Sequence, residues 1–135
     1  KRNHITGFNQ SEDGIKTIFD TYANYTGFTD KHIIELGPGH TWGVAKKMKE
    51  AGAASVTVID IEKYIPDTVL QDQPWLNYVI YPGGKMPVPD EQFDVALSFT
   101  VYEHLREPET TIRETFRILK KGGGVIIKIN PIEYN

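Results

Sequence analysis

The chain has 135 residues, a net charge of −3, 39% hydrophobic residues and no cysteine. This length predicts one domain over 1–135, and the lack of cysteine excludes a disulfide framework, cysteine-ligated zinc and thiol catalysis. The mild acidic balance argues against a nucleic-acid module driven by electrostatics. No apolar run is long enough to span a membrane, and Lys1 to Gln10 lacks the apolar stretch of a signal peptide, so a cytoplasmic location is expected.

In chain order, Ser11 to Tyr25 places Ile15, Ile18, Phe19, Tyr22 and Tyr25 at helical spacing, with Ser11 as N-cap. His32 to Leu36 reads as a buried strand closed by Gly37-Pro38-Gly39. Thr41 to Ala51 reads as a helix with Trp42, Ala45 and Met48 on one face and Gly52 beyond its end. Ser55 to Asp60 is a β-branched strand, and a short helix starts near Pro66 within Tyr64 to Gln71. Asn77 to Tyr81 is a third strand, Pro82 to Asp90 a proline-rich loop, and Phe93 to Ser98 a fourth strand. Pro108 to Lys121 reads as a helix with Ile112, Phe116 and Leu119 as its apolar face. Gly122-Gly123-Gly124 reads as its stop, and Val125 to Ile129 as a fifth strand. Strands that are continuous apolar runs and alternate with helices predict an α/β fold. The expected layout is a Rossmann-like, doubly wound, mainly parallel sheet of about five strands with helices on both faces. Ligands of such sheets bind beyond the carboxyl ends of the strands.

Two features point to chemistry. The Gly37-Pro38-Gly39 turn between a strand and a helix lets backbone approach a ligand closely and exposes helix N–H groups, although the same tripeptide also makes an ordinary turn. Asp60 ends the second strand 21 positions after Gly39. Its carboxylate offers two oxygens to the hydroxyls of a ribose, or it caps the segment that follows. A dinucleotide fingerprint counted from Gly37 needs a third glycine at Trp42, so a nicotinamide oxidoreductase is disfavoured.

Five ordered blocks carry a resemblance. They are Glu35-Leu36-Gly37-Pro38-Gly39, Asp60-Ile61, Met86 through Ser98, Glu103-His104 and Glu114 through Gly123. Together, over about residues 33 to 130, the chain resembles the class I S-adenosylmethionine-dependent methyltransferases of the small-molecule type. The resemblance implies an N-terminal helical segment (1–30) and a cofactor-binding core (31–130). It implies S-adenosylmethionine as cofactor, S-adenosylhomocysteine as product and a small-molecule methyl acceptor. Glu35 would lie near the methionine amino end. Gly37, Pro38 and Gly39 would pass under the cofactor, and His40 would reach its carboxylate or solvent. Asp60 would hold the ribose, Ile61 would pack on the adenine, and Gly83 and Gly84 would run along the adenine edge. Ser98 and Phe99 would face the methionine moiety. His104 is the candidate general base, weighed against a structural histidine. No metal site is implied.

Three departures from the family pattern stand out. Thr41 replaces a common glycine, Pro82 stands where an acid often meets the adenine amino group, and the usual C-terminal antiparallel strand pair is missing. A fifth strand at that point would present an open edge, covered by a second copy, by a partner chain or by the rest of a longer protein. A catalytically silent methyltransferase-like binding or assembly domain is the alternative function. Arg106, Arg113, Arg117, Lys120 and Lys121 are interleaved with Glu107, Glu109 and Glu114, which reads as a solvated mixed-charge face.

Overall fold

The computed structural model describes residues 11–39 and 41–129. Five strands, β1 (His32–Leu36), β2 (Ser55–Asp60), β3 (Leu76–Ile80), β4 (Phe93–Phe99) and β5 (Leu119–Lys128), form one sheet in the order β3-β2-β1-β4-β5. Every pairing is parallel. The helices are α1 (Glu12–Ala23), α2 (Gly43–Glu50), α3 (Asp67–Asp72) and α4 (Pro108–Arg117), with a 3-10 turn at Tyr102–His104. This is the α/β, Rossmann-like layout read from the alternation of apolar runs. No antiparallel strand pair occurs among the described residues.

The two faces of the sheet bury different cores because side chains alternate along each strand. Ile33, Val56, Val58, Val95 and Leu97 face a layer made by Ile18 and Tyr22 of α1 and Val44, Ala45 and Met48 of α2. Ile34, Leu36, Ile59 and Ala96 face Met86 and Val88 of the β3–β4 loop, Tyr102, Ile118 and Leu119. Ser11 caps α1 by accepting the Gly14 N–H at 2.9 Å. Before α2, whose N-cap Trp42 offers no side-chain cap, Thr41 accepts the Gly43 N–H at 3.0 Å.

Three expectations are corrected. Helix α1 ends at Ala23, and Tyr25 lies beyond it, 74% exposed. Helix α4 ends at Arg117, and Leu119 to Lys121 already belong to β5. The triple glycine therefore sits inside a strand. Phe93 pairs with Leu119 but Val95 with Gly124, so the ladder slips by a bulge there. Gly122 bends it with a φ of 81°, and a Cβ on Gly123 would stand 2.9 Å from the Lys120 carbonyl oxygen. Finally, α4 packs through Thr111 and Thr115, while Phe116 is 61% exposed. The buried hydroxyls are paired: Thr115 donates to the Thr111 carbonyl at 2.7 Å, and Tyr102 Oη lies 2.7 Å from Thr115 Oγ1.

Candidate functional site

The ends of β1, β2, β3 and β4 meet on one side of the sheet, where strand order reverses between β1 and its neighbours β2 and β4. The backbone after β1 turns at Gly37, whose φ is 70° and whose N–H donates to the Ile59 carbonyl at 2.8 Å. A Cβ at Gly37 would stand 2.6 Å from Val101 Cγ2, so glycine is required both by conformation and by the chain after β4. That chain is itself strained, since Thr100, a β-branched residue, holds a φ of 56°.

Asp60 ties the loop to β2. Its Oδ2 accepts the Gly39 N–H at 2.9 Å, and its Oδ1 accepts the Ile61 N–H at 2.9 Å. The capping reading of Asp60 is thus met in the geometry. The ribose reading is compatible with it, because a carboxylate has about four lone-pair sites.

Two cavities open beside this pair. A small cleft of about 10 Å3, room for about one water, is lined by Tyr22, Glu35, Gly37, Pro38, Thr41 and Phe99 among others. A larger groove of about 350 Å3 runs between Ile61, the Tyr81–Gly84 segment and the stretch from His104 to Thr111. Glu35 is buried at 2% exposure in the floor of the small cleft, accepting the Tyr22 hydroxyl proton on Oε2 at 3.2 Å. Its Oε1 is buried without a hydrogen-bond partner among the described residues. Burial, opposed by the Tyr22 hydrogen bond and reinforced by the nearby Asp60 charge, pushes the Glu35 carboxyl up to about 8.

The predicted residues divide between these cavities. Glu35, Gly37, Pro38 and Phe99 line the small cleft, and Ile61, Gly83, Gly84 and His104 line the groove. Asp60 and Gly39 line neither cavity; each precedes or follows a lining residue in the chain, Ile61 of the groove and Pro38 of the cleft, and their hydrogen bond joins the two loops. Ser98 is one residue from Phe99 and therefore points to the opposite face of β4. It lines neither cavity, and its Oγ is buried without a partner among the described residues. His104 lies on the groove side, away from the Glu35 cleft. His40 lies outside the described residues. Among the described residues no group of His, Asp or Glu is placed to hold a metal ion. Pro82 does line the groove, and Glu107 is the acidic residue in that lining.

Sequence reading missed two contributors. Tyr22 was readable only as part of the apolar spacing of a helix, since nothing thirteen residues upstream announces a bond to Glu35. Arg117 is not on a solvated face. Its guanidinium donates to the carbonyls of Met86 and Val88, each at 2.9 Å, and to Glu114 and Asp90 at 2.7 and 2.6 Å. Glu114 in turn accepts the Met86 N–H at 2.7 Å. The pair clamps the loop whose neighbouring residues wall the groove.

A five-stranded parallel sheet with a glycine turn after β1 and an acid at the end of β2 defines a Rossmann-like α/β domain. A family model described as a methyltransferase domain matches residues 34–127. The chain belongs to that family. It is 31% identical over 118 residues to an uncharacterized methyltransferase of Anoxybacillus flavithermus, covering 84% of this chain and 52% of the relative. It is 26% identical over 121 residues to a demethylmenaquinone methyltransferase of Chlamydia muridarum, covering 85% of this chain and 52% of the relative. The fold is shared with an S-adenosylmethionine-dependent methyltransferase from Mesorhizobium loti, with a TM-score of 0.67, 22% identity, and coverage of 79% of this chain and 50% of that one. The chain spans about half the length of the curated relatives it matches.

The Mesorhizobium loti protein is named for S-adenosylmethionine, and the residues present here suit a cofactor of that chemistry. A buried carboxylate oxygen without a partner offers an acceptor to a cationic group. An added Cβ at Gly39, Gly83 or Gly84 would meet nothing within 4 Å, so the backbone there is open to a ligand. No helix among the described residues is long and apolar enough to cross a membrane.

Proposed function

We propose that this chain carries the cofactor-binding part of an S-adenosylmethionine-dependent methyltransferase acting on a small molecule. The observation that supports it most is the Gly39–Asp60 hydrogen bond at 2.9 Å, which sets the glycine turn after β1 against the acid at the end of β2. Asp60 receives the ribose hydroxyls, and Ile61, Gly83 and Gly84 wall the adenine in the groove. Glu35 faces the ammonium end, with Gly37, Pro38 and Phe99 around the methionine chain. The small cleft must widen to admit that chain, through movement of lining side chains such as Phe99 and Thr41. The cofactor supplies an activated methyl group on a sulfonium. The protein's part is to align the acceptor and exclude water. His104, on the groove side, serves here as adenine wall rather than as general base.

Relatives named for quinone methylation support a small-molecule acceptor. A cytoplasmic location belongs to this reading and rests on the cysteine-free composition. The outer edge of β5, which pairs only with β4 among the described residues, is where a second copy or a partner chain would add. Light scattering that gives the monomer mass across the micromolar range contradicts the second copy.

Calorimetric titration with S-adenosylhomocysteine tests the cofactor site. The native chain is expected to bind, and Asp60→Ala to weaken binding at least about tenfold, as for loss of a charge-assisted hydrogen-bond acceptor. Equal affinity in Asp60→Ala removes the ribose role, and no binding by the native chain contradicts the cofactor reading. Binding without turnover across a panel of acceptors favours the silent-domain alternative.

A further inference from the structure

Tyr22 lies outside the 34–127 span shared with the family, yet its side chain reaches the site. It is 0% exposed, and its hydroxyl donates to Glu35 Oε2 at 3.2 Å. The second oxygen, Oε1, is buried with no hydrogen-bond partner among the described residues, and Glu35 lines the small cleft. A buried carboxylate left with an unpaired oxygen is costly as an anion, and affordable once a cation stands beside it. No described residue lining the cleft is basic. The titratable groups that act on Glu35 are Tyr22 from α1 and Asp60 from β2, a hydroxyl and an acid. Asp60 disfavours the anion further. Burial and the Glu35 charge push the Tyr22 phenol well above its ordinary range, so it stays a hydrogen donor.

We propose that Tyr22 is a positioning residue of the cofactor site: it holds Glu35 by one oxygen while the other receives the cofactor's ammonium group, and Glu35 releases a proton as that group arrives. This rests on the cofactor reading above. The balance is simple. The O–H bond of a neutral Glu35 carboxyl breaks, and its proton goes to solvent. The carboxylate then accepts an ammonium N–H on Oε1 and keeps the Tyr22 O–H on Oε2. A neutral acid and a cation become an ion pair and a free proton. The direction of the Glu35 shift, up to about 8, agrees with a neutral carboxyl in the free protein near pH 7.

The test is calorimetry in two buffers of different ionisation enthalpy, with S-adenosylhomocysteine and with 5′-methylthioadenosine, which keeps the nucleoside and lacks the amino-acid end. S-adenosylhomocysteine is expected to release about one proton at pH 7 and close to none well above pH 8, and methylthioadenosine none at either pH. Tyr22→Phe keeps the ring. It is expected to weaken S-adenosylhomocysteine about fivefold at pH 7, to carry proton release to higher pH, and to leave methylthioadenosine affinity unchanged. A merely structural tyrosine would weaken both ligands alike. Binding of S-adenosylhomocysteine without proton release, equal release with methylthioadenosine, or a Tyr22→Phe variant with the native pH profile overturns the inference and leaves the cofactor reading intact. Failure of both ligands to bind the native chain overturns the cofactor reading and the inference together.

Discussion

At the scale of single residues, Glu35 carries the largest consequence. Its carboxyl stands at about 8 in the folded chain against an ordinary 4.5. Between those values the native state holds a proton that the unfolded chain has lost. Stability is therefore complete below about pH 4.5 and declines as pH rises through about 8, by at most about 1.4 kcal/mol per pH unit. Urea unfolding of the ligand-free native chain is expected to show this decline, and Glu35→Gln, which is neutral at every pH, to remove it. An identical slope in both proteins would mean that another group is responsible. Asp60 is different, because backbone N–H groups meet both of its oxygens. Its role as a cap was readable from its place at a strand end. The contact with Gly39 follows from the parallel register that sets Leu36 beside Ile59.

At the scale of elements, the β3–β4 loop is held by α4 and not by its own turns. Arg117 reaches the carbonyls of Met86 and Val88 while Glu114 takes the Met86 N–H. Removing the guanidinium strands two carbonyls and leaves Glu114 without its cation, so Arg117→Ala is expected to cost about 2 to 3 kcal/mol in urea unfolding. Arg117→Lys is expected to recover only part, because one ammonium cannot span the same acceptors. Full recovery by lysine would show that charge alone matters. The clamp was hidden in the sequence because α4 alternates acids and bases, and such a pattern reads as a solvated face. The end of α4 was misplaced for a related reason. Ile112, Phe116 and Leu119 keep helical spacing, but Leu119 is buried as the first residue of β5, and Phe116 points outward. The helix instead buries Thr111 and Thr115, whose hydroxyls are satisfied by the helix backbone and by Tyr102 and Tyr81.

At the scale of the whole molecule, the strands and their parallel pairing were legible because buried parallel strands are continuous apolar runs, as in Ile33-Ile34 and Val56-Thr57-Val58-Ile59. The glycine turn and Asp60 were legible because both stand at strand ends. The split of the site into a cleft and a groove was not, since it depends on how α1 and the start of α4 pack over the sheet. Nor was the Tyr22–Glu35 bond, which joins a helix to a strand across the core. Strand alternation separates Ser98 from Phe99, a distinction that the strand's period of two already contains.

In the proposed function one ligand, a sulfur-linked nucleoside amino acid, occupies both cavities at the carboxyl ends of β1, β2 and β4. Amide nitrogen–proton correlation spectra recorded during titration with S-adenosylhomocysteine test it most directly. The amides of Gly37, Gly39, Ile61, Gly83 and Gly84 are expected to shift together with one saturation curve. Shifts confined to the far edge at Leu76–Ile80, or no shift at saturating ligand, would contradict it.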